Sequence, residues 1–209
     1  FFKIVRPVSV HAILLAAGAG SRLGYPKASL HVHGKWMLPE IVRNLRIGGA
    51  AQVTLVLSDA ALTSIADLGS TEADQEVLNP HPEDGRTGSI LAAAAKVHVD
   101  DALLVHSCDI PLLRPEVVAQ LIHAWRKQES PGKSLVRPVT PGGRGGHPLL
   151  VGSELAKELR LFKPNQPLRE LLKLHRKSTL DLPILNDPGP FLDVNTTEQL
   201  ALLESLIKP

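Results

Sequence analysis

A single cysteine, Cys108, stands among 209 residues, so no intramolecular disulfide can form. That usage fits a reducing compartment, and a soluble cytoplasmic protein is the default expectation. No long basic run is present, and 23 Lys and Arg against 21 Asp and Glu leave a formal charge of only +2. A nucleic-acid backbone is therefore not expected as the main partner. Small acidic ligands stay open, because the local placement of charge matters more than its total. No apolar run reaches about 18 residues, so neither a membrane span nor a membrane partner is expected. The leading FFKIVRPVSV has neither the apolar core nor the small-residue cleavage site of a signal peptide, and it opens on Phe1, as a trimmed start would. Internal repeats, low-complexity tracts and long linkers are missing too, which favours one domain over residues 1–209.

What is present is enough apolar material, 44% of the chain, for a substantial core. Short apolar runs alternate with helical patterns. Residues 10–17, 52–57, 76–79 and 102–107 read as strands, the first and last as buried ones. Residues 37–47 carry Leu38, Ile41, Val42 and Leu45 at helical spacing and stop at Gly48-Gly49. Residues 60–67, 88–97 and 115–127 read as further helices, the last opened by Pro115. This alternation predicts a mostly parallel sheet with helices on both faces. Beyond it, residues 133–139, 149–151 and 179–185 read as strands, and 153–161, 168–175 and 197–206 as helices.

The stretch LLAAGAGSRLGYPK (14–27) runs from the first strand into glycines and two isolated cations. Open α/β sheets bind ligands at the carboxyl ends of their strands. Glycine lets backbone N–H groups approach an anion without an intervening Cβ, and arginine offers a forked donor set suited to phosphate. A phosphate cradle with Arg22 and Lys27 is the physical reading. Gly18, Gly20 and Gly24 also approximate a dinucleotide fingerprint, with Glu40 at roughly the ribose-binding distance. That fingerprint needs a helix starting within the glycines, and Tyr25-Pro26 interrupts one. The Gly-Lys-Ser/Thr of a Walker loop is absent.

Asp109 follows the strand at 102–107 and precedes Pro111. An aspartate there caps a turn or, with nucleotide phosphates, holds Mg²⁺. If that strand returns beside the first one, about 4.8 Å away, Asp109 shares a crevice with the glycine loop. A glycine-rich anion loop facing a carboxylate implies a metal-bound polyphosphate. Cys108 reads as a small buried hydrophobe rather than a nucleophile. Residues 195–198 (NTTE) read as a helix cap, and Asp193 and Asn195 alternate onto one side of an extended segment.

LAAGAGSRLGYPK (15–27) resembles the signature of the nucleotidyltransferase superfamily, and CDIP (108–111) resembles its metal-aspartate motif. GHPLL (146–150) and LDVNTTEQL (192–200) are similar to the molybdenum-cofactor branch, and NPHPEDGRTGSILAA (79–93) is closer to its cytidylyltransferases than to its guanylyltransferases. The resemblance implies a Rossmann-like three-layer α/β/α domain with a mostly parallel mixed sheet. It implies a nucleotide-binding half at about 8–128 and an acceptor-binding half at about 129–209. Leu15, Ala16, Ala17, Gly18, Gly20 and Ser21 would line the nucleotide, with Asn79, Gly85, Thr87 and Ser89 near the base. Arg22, Lys27 and Asp109 would be catalytic. Asp109, with Asn195 or Asp193, would hold Mg²⁺, for which Mn²⁺ can substitute. Arg144, among the glycines at 142–146, and His147, directly after them, would meet the acceptor.

The implied reaction moves NMP from CTP, or GTP as the other base, to molybdopterin, releasing pyrophosphate. A molybdoenzyme or cofactor-insertion protein is the implied macromolecular partner. Two other functions stay open: transfer to a sugar or polyol phosphate, and a non-catalytic nucleotide- or cofactor-binding chaperone. Two departures stand out. Arg86 and Thr87 replace smaller residues in GRTGS (85–89), and Asn195 stands where many cytidylyltransferase-like chains have aspartate.

Overall fold

A computed structural model of the chain describes residues 8–207. Residues 1–7, on which most of the leading-segment reading rests, and 208–209 lie outside the described residues.

Two wholly buried runs make the centre: β1 (Val10–Leu15) and β6 (Ala102–Ser107). They pair in parallel, Val10 with Ala102 through Leu15 with Ser107. Strands covered on both faces read as continuous apolar runs, which is why these two were legible. Outward on one side lie β4 (Gln52–Leu57) and β5 (Gln75–Leu78). On the other lie β8 (Leu149–Val151), β7 (Leu135–Val139) and β9 (Thr179–Pro183), giving the order β5-β4-β1-β6-β8-β7-β9. Only β8 runs antiparallel to its neighbours, β6 and β7. The short β2 (His31–Val32) and β3 (Lys35–Trp36) form a separate hairpin.

Alternation along β1 sends Ala12 and Leu14 to one core and Ile13 and Leu15 to the other. The first core receives α1 (Met37–Ile47) through Leu38, Ile41 and Leu45, and α4 (Pro115–Arg126) through Leu121 and Trp125. It also takes Ala61 and Ile65 of α2 (Asp59–Ile65) and Leu203 of α7 (Thr197–Leu206). The second core receives Ile90 and Ala93 of α3 (Gly85–Ala94), Leu155 and Leu159 of α5 (Ser153–Leu159) and Leu171 of α6 (Arg169–Leu174). The result is the expected three-layer α/β/α arrangement on a mostly parallel mixed sheet. No helix among the described residues is long and apolar enough to cross a membrane.

Two local departures bear on the site. β1 ends at Leu15; the Ala16 N–H still donates to the Val56 carbonyl of β4 at 2.9 Å, and the glycine loop opens from Ala17. Helix α3 begins at Gly85, three residues before the expected start at 88, because a 3₁₀ turn at Pro82–Asp84 leads into Gly85 at φ 81°. Arg86 and Thr87 thereby sit in the first turn of a helix aimed at the carboxyl edge of the sheet. The hairpin was not foreseen; its strands are two residues long, and His33 and Gly34 turn with positive φ, the geometry of a two-residue hairpin loop.

Candidate active site

Because β1 and β6 are parallel neighbours, the loop after β1 and the aspartate after β6 emerge at one edge. The loop is set by Gly20, at φ 62°, whose carbonyl accepts from the N–H groups of Leu23 and Gly24 at 2.8 and 3.0 Å. A Cβ at Gly20 would lie 1.9 Å from the Tyr25 carbonyl oxygen, so only glycine lets the chain double back here. Pro26 then stays extended, and Lys27 opens a three-residue 3₁₀ turn, Lys27–Ser29.

From that turn Lys27 Nζ donates to Asp109 Oδ2 at 2.9 Å and to Asn195 Oδ1 at 2.5 Å. Asn195 Nδ2 in turn donates to Asp193 Oδ2. The segment carrying them is tied to the end of β6 by the Val194 N–H, which donates to the Asp109 carbonyl at 2.7 Å. An Arg86 Nη2 stands 3.9 Å from Asp109 Oδ2. Burial alone would raise the Asp109 carboxyl's pKa. Ser107, Lys27 and Arg86 outweigh it and hold the group below its ordinary value. Ser107 leads the groups that stabilise the anion, and Asp109 Oδ1 is buried with no hydrogen-bond partner.

These groups surround a cavity of about 290 Å³, with Ala17, Gly18, Arg22, Lys27, Asp109 and Asn195 in its wall. A second cavity, about 540 Å³, adjoins it through Leu15, Gly85 and Arg86 and extends to Thr87, His147 and Leu168. One carboxylate oxygen without a partner, with an amide oxygen on the same lysine, is a hard-oxygen set that suits Mg²⁺ or Mn²⁺. The described residues hold no group of three His, Cys, Asp or Glu that could grip a metal unaided. Any ion here would complete its shell with phosphate and water oxygens, as Mg²⁺ prefers.

The structure gathers Gly18, Arg22, Lys27, Gly85, Ser89, Asp109 and Asn195 around the first cavity and Thr87 and His147 around the second. Ala16 is buried, and Gly20 and Ser21 shape the turn. Asn79 faces inward, donating to Ser89 Oγ at 3.0 Å and accepting from the His81 N–H, so it positions Ser89. Asp193 is exposed and meets the site through Asn195. Arg144 is not brought to either cavity: it lines a separate depression, donates to the Phe191 carbonyl at 3.2 Å and lies 5.8 Å over that ring. Of the glycines around it, Gly143 turns the chain at φ 82°, whereas Gly145 and Gly146 serve close packing: a Cβ at Gly145 would lie 2.8 Å from Arg137 Nη1, and one at Gly146 would meet Phe191 and the Pro190 carbonyl at 2.5 Å.

Sequence reasoning missed Arg86, Arg137 and Arg169, which all face the second cavity. Arg86 had a signal, one residue after a glycine that reverses the chain; the other two are distant in sequence. His147 packs edge-on to His106, ring centres 6.0 Å apart, and burial, then the charge of Arg86, lowers its pKa. Burial likewise lowers His106 to about 3. Burial and then Asp109 push the Cys108 thiol far up, which opposes formation of a thiolate at neutral pH.

Comparison with known proteins agrees with this geometry. Residues 12–180 match the MobA-like NTP transferase domain. The chain is 28% identical over 193 residues to nicotine blue oxidoreductase of Paenarthrobacter nicotinovorans, covering 91% of this chain and 94% of that one. It is 26% identical over 206 residues to molybdenum cofactor guanylyltransferase of Rhizobium meliloti (strain 1021), covering 93% and 90%. The crystal structure of Rv0371c from Mycobacterium tuberculosis H37Rv superposes with a TM-score of 0.78 at 22% identity, over 96% of this chain and 100% of that one. A complex of that protein with manganese superposes at 0.74 with the same identity and coverage. With its sheet order, glycine turn and lysine–aspartate pair, the chain belongs to the MobA-like NTP transferase family.

Proposed function

We propose that the chain transfers NMP from CTP or GTP to a phosphorylated acceptor, molybdopterin in the first instance, with Mg²⁺ bound at Asp109 and Asn195. The observation that carries this reading is the meeting of Lys27, Asp109 and Asn195 beside the Gly18 backbone, with a second cavity opening beyond Arg86.

The acceptor phosphate oxygen attacks the α-phosphorus in line. That P–O bond forms as the bond to the bridging oxygen breaks, and pyrophosphate leaves with the electron pair. A phosphate monoester has a second pKa of about 6, so it is already a nucleophile at neutral pH and needs no general base. The residues present answer to that demand. The loop backbone and Arg22 bind the triphosphate, Lys27 offsets charge on the transferring group, and Arg86 stands between the two cavities to orient the incoming phosphate. When bound, Mg²⁺ supplies charge neutralisation across the phosphates. Asp109, kept ionised by its neighbours, is the group that would hold it.

A relative named as an oxidoreductase makes a redox reading worth a test. Against it, β1 is followed by no α-helix before α1, only by the 3₁₀ turn at Lys27–Ser29. The helix N-terminus on which a dinucleotide pyrophosphate rests is therefore missing. The deciding experiment incubates the protein with each nucleoside triphosphate, Mg²⁺ and, separately, molybdopterin, sugar phosphates or polyol phosphates, and follows pyrophosphate. Release with molybdopterin and one base is expected. Release only with a sugar or polyol phosphate moves the acceptor. Triphosphate binding with no release from any pair restores the non-catalytic reading, and binding of a nicotinamide dinucleotide in its place would support the redox one.

A further inference from the structure

Beyond the acceptor cavity lies a groove of about 400 Å³ walled by Arg137, Arg169, Leu172, Lys173, Arg176 and Asp181. Arg137, Arg169 and Leu172 line both spaces, so the two adjoin. Four cations here face one carboxylate. That carboxylate is already engaged: Arg137 and Asp181 are register partners on the parallel β7 and β9, and Arg137 Nε and Nη2 donate to Asp181 Oδ1 and Oδ2 at 2.6 and 3.2 Å. The pair fixes the Arg137 guanidinium at the junction of the two cavities. Among the described residues, Arg169, Lys173 and Arg176 form no ion pair within 4.0 Å, although all three are exposed enough to reach one. Arg169 and Lys173 also sit four residues apart on α6, a like-charge spacing that weakens a helix. Arg176 adds to the positive charge that, after Arg137, lowers the Asp181 carboxyl's pKa, and an anion in the groove would relieve the repulsion that remains among the cations.

We propose that the groove is a second anion subsite, holding an anionic group at the end of the acceptor remote from its reacting phosphate. The acceptor is then a bis-anion lying across both spaces: one phosphate at Arg86, an apolar or planar body along Leu168 and Leu172, and a phosphate or carboxylate among Arg169, Lys173 and Arg176. This rests on the transferase reading for the identity of the first end, and of the acceptors named above it favours a sugar or polyol phosphate with a second anionic group over molybdopterin, which carries one phosphate. The shared chemistry, an anionic oxygen group, also admits a free inorganic ion as its source, and the test separates the two.

The test measures binding by calorimetry at low ionic strength, to the full chain with its triphosphate cavity filled by a non-hydrolysable CTP or GTP analogue and Mg²⁺. The probes are linear alkane bisphosphates of four to ten carbons, the matching monophosphates, and inorganic phosphate. The parent is expected to bind at least one bisphosphate ten-fold or more tighter than its monophosphate. In R169Q/K173Q/R176Q that preference should vanish while affinity for the analogue stays within two-fold. No preference in the parent, or a preference that survives in the variant, overturns the subsite. Inorganic phosphate binding as tightly as the bisphosphate, and weakened in the variant, overturns the acceptor as its source. Failure of both analogues to bind the parent is a failure of the transferase reading instead. The same probes on the nucleotide-free parent and variant then still decide the groove, because no turnover is required.

Discussion

Asp109 carries one negative charge into the space proposed above to hold a triphosphate, which is unfavourable unless a cation comes with the ligand. Lys27 answers part of that charge from Oδ2, and Oδ1 is left for another. The side chains of Lys27 and Asp109 are 15% and 5% accessible, so their attraction is weakly screened by water. Replacing the carboxylate by its neutral isostere, Asp109→Asn, separates the two jobs. Turnover should fall at least ~100-fold, which corresponds to about 3 kcal/mol of barrier. Without Mg²⁺, nucleotide affinity should hold or improve, because repulsion of the phosphates is gone. With Mg²⁺, the variant should gain little affinity where the parent gains much. Fluorescence titration of nucleotide with and without the ion checks this, and a variant that keeps both its turnover and its Mg²⁺ dependence would remove Asp109 from the metal site.

The loop between β1 and the 3₁₀ turn joins two different uses of glycine. Gly18 has open space where a Cβ would be and an ordinary φ, so nothing in the folded chain demands glycine there. Its small size matters only if a phosphate must come close to the backbone. Gly20 is required by the turn itself. Gly18→Ala should therefore leave stability within about 0.5 kcal/mol of the parent and weaken triphosphate binding at least ten-fold. Gly20→Ala should lower both, because the Tyr25 carbonyl must move and φ 62° strains any L side chain. Thermal melts beside nucleotide titrations distinguish them; equal nucleotide affinity for Gly18→Ala and the parent would defeat the cradle. The two glycines also mark how far the sequence could be read. Strands β1, β4 and β6 and helix α1 were legible because burial leaves an apolar run or a helical period, and adjacency of β1 and β6 followed from winding rules. The Lys27–Asp109 meeting came with it. The start of α3 was not legible, since a positive φ at Gly85 is a property of the backbone. Nor was the cationic groove, because Arg137 stands on β7 and residues 169–176 on α6 and the turn after it, elements distant in sequence.

At the scale of the molecule, the folded chain keeps three imidazoles neutral inside it. His11 bonds Thr54 Oγ1 at 2.8 Å across β1 and β4, His106 bonds the Ile110 carbonyl at 3.0 Å, and His147 packs against His106. Burial lowers the pKa of all three, that of His106 to about 3. Unfolding returns each to about 6.5, so below that pH the unfolded chain binds more protons and stability must rise with pH. The stabilisation is complete above about pH 7 and is lost as pH falls through 6.5, for His106 all the way to its folded value. Asp74, Asp109 and Asp181, whose folded pKa values are lowered, contribute stability that is lost only on acidification below about 4, outside this window. Between pH 7 and 5 His106 alone then accounts for about 2 kcal/mol, and His11 and His147 add to it in the same direction. Against a total of roughly 5–15 kcal/mol that is a large fraction. Denaturant unfolding at half-unit steps should show stability falling steadily over this range. His106→Asn should flatten the slope by about one proton, whatever its own stability at pH 7. Stability that is level or increasing from pH 7 to 5 would mean that these histidines are already protonated in the fold, and the packing of β6 against the loop before β8 would have to be redrawn.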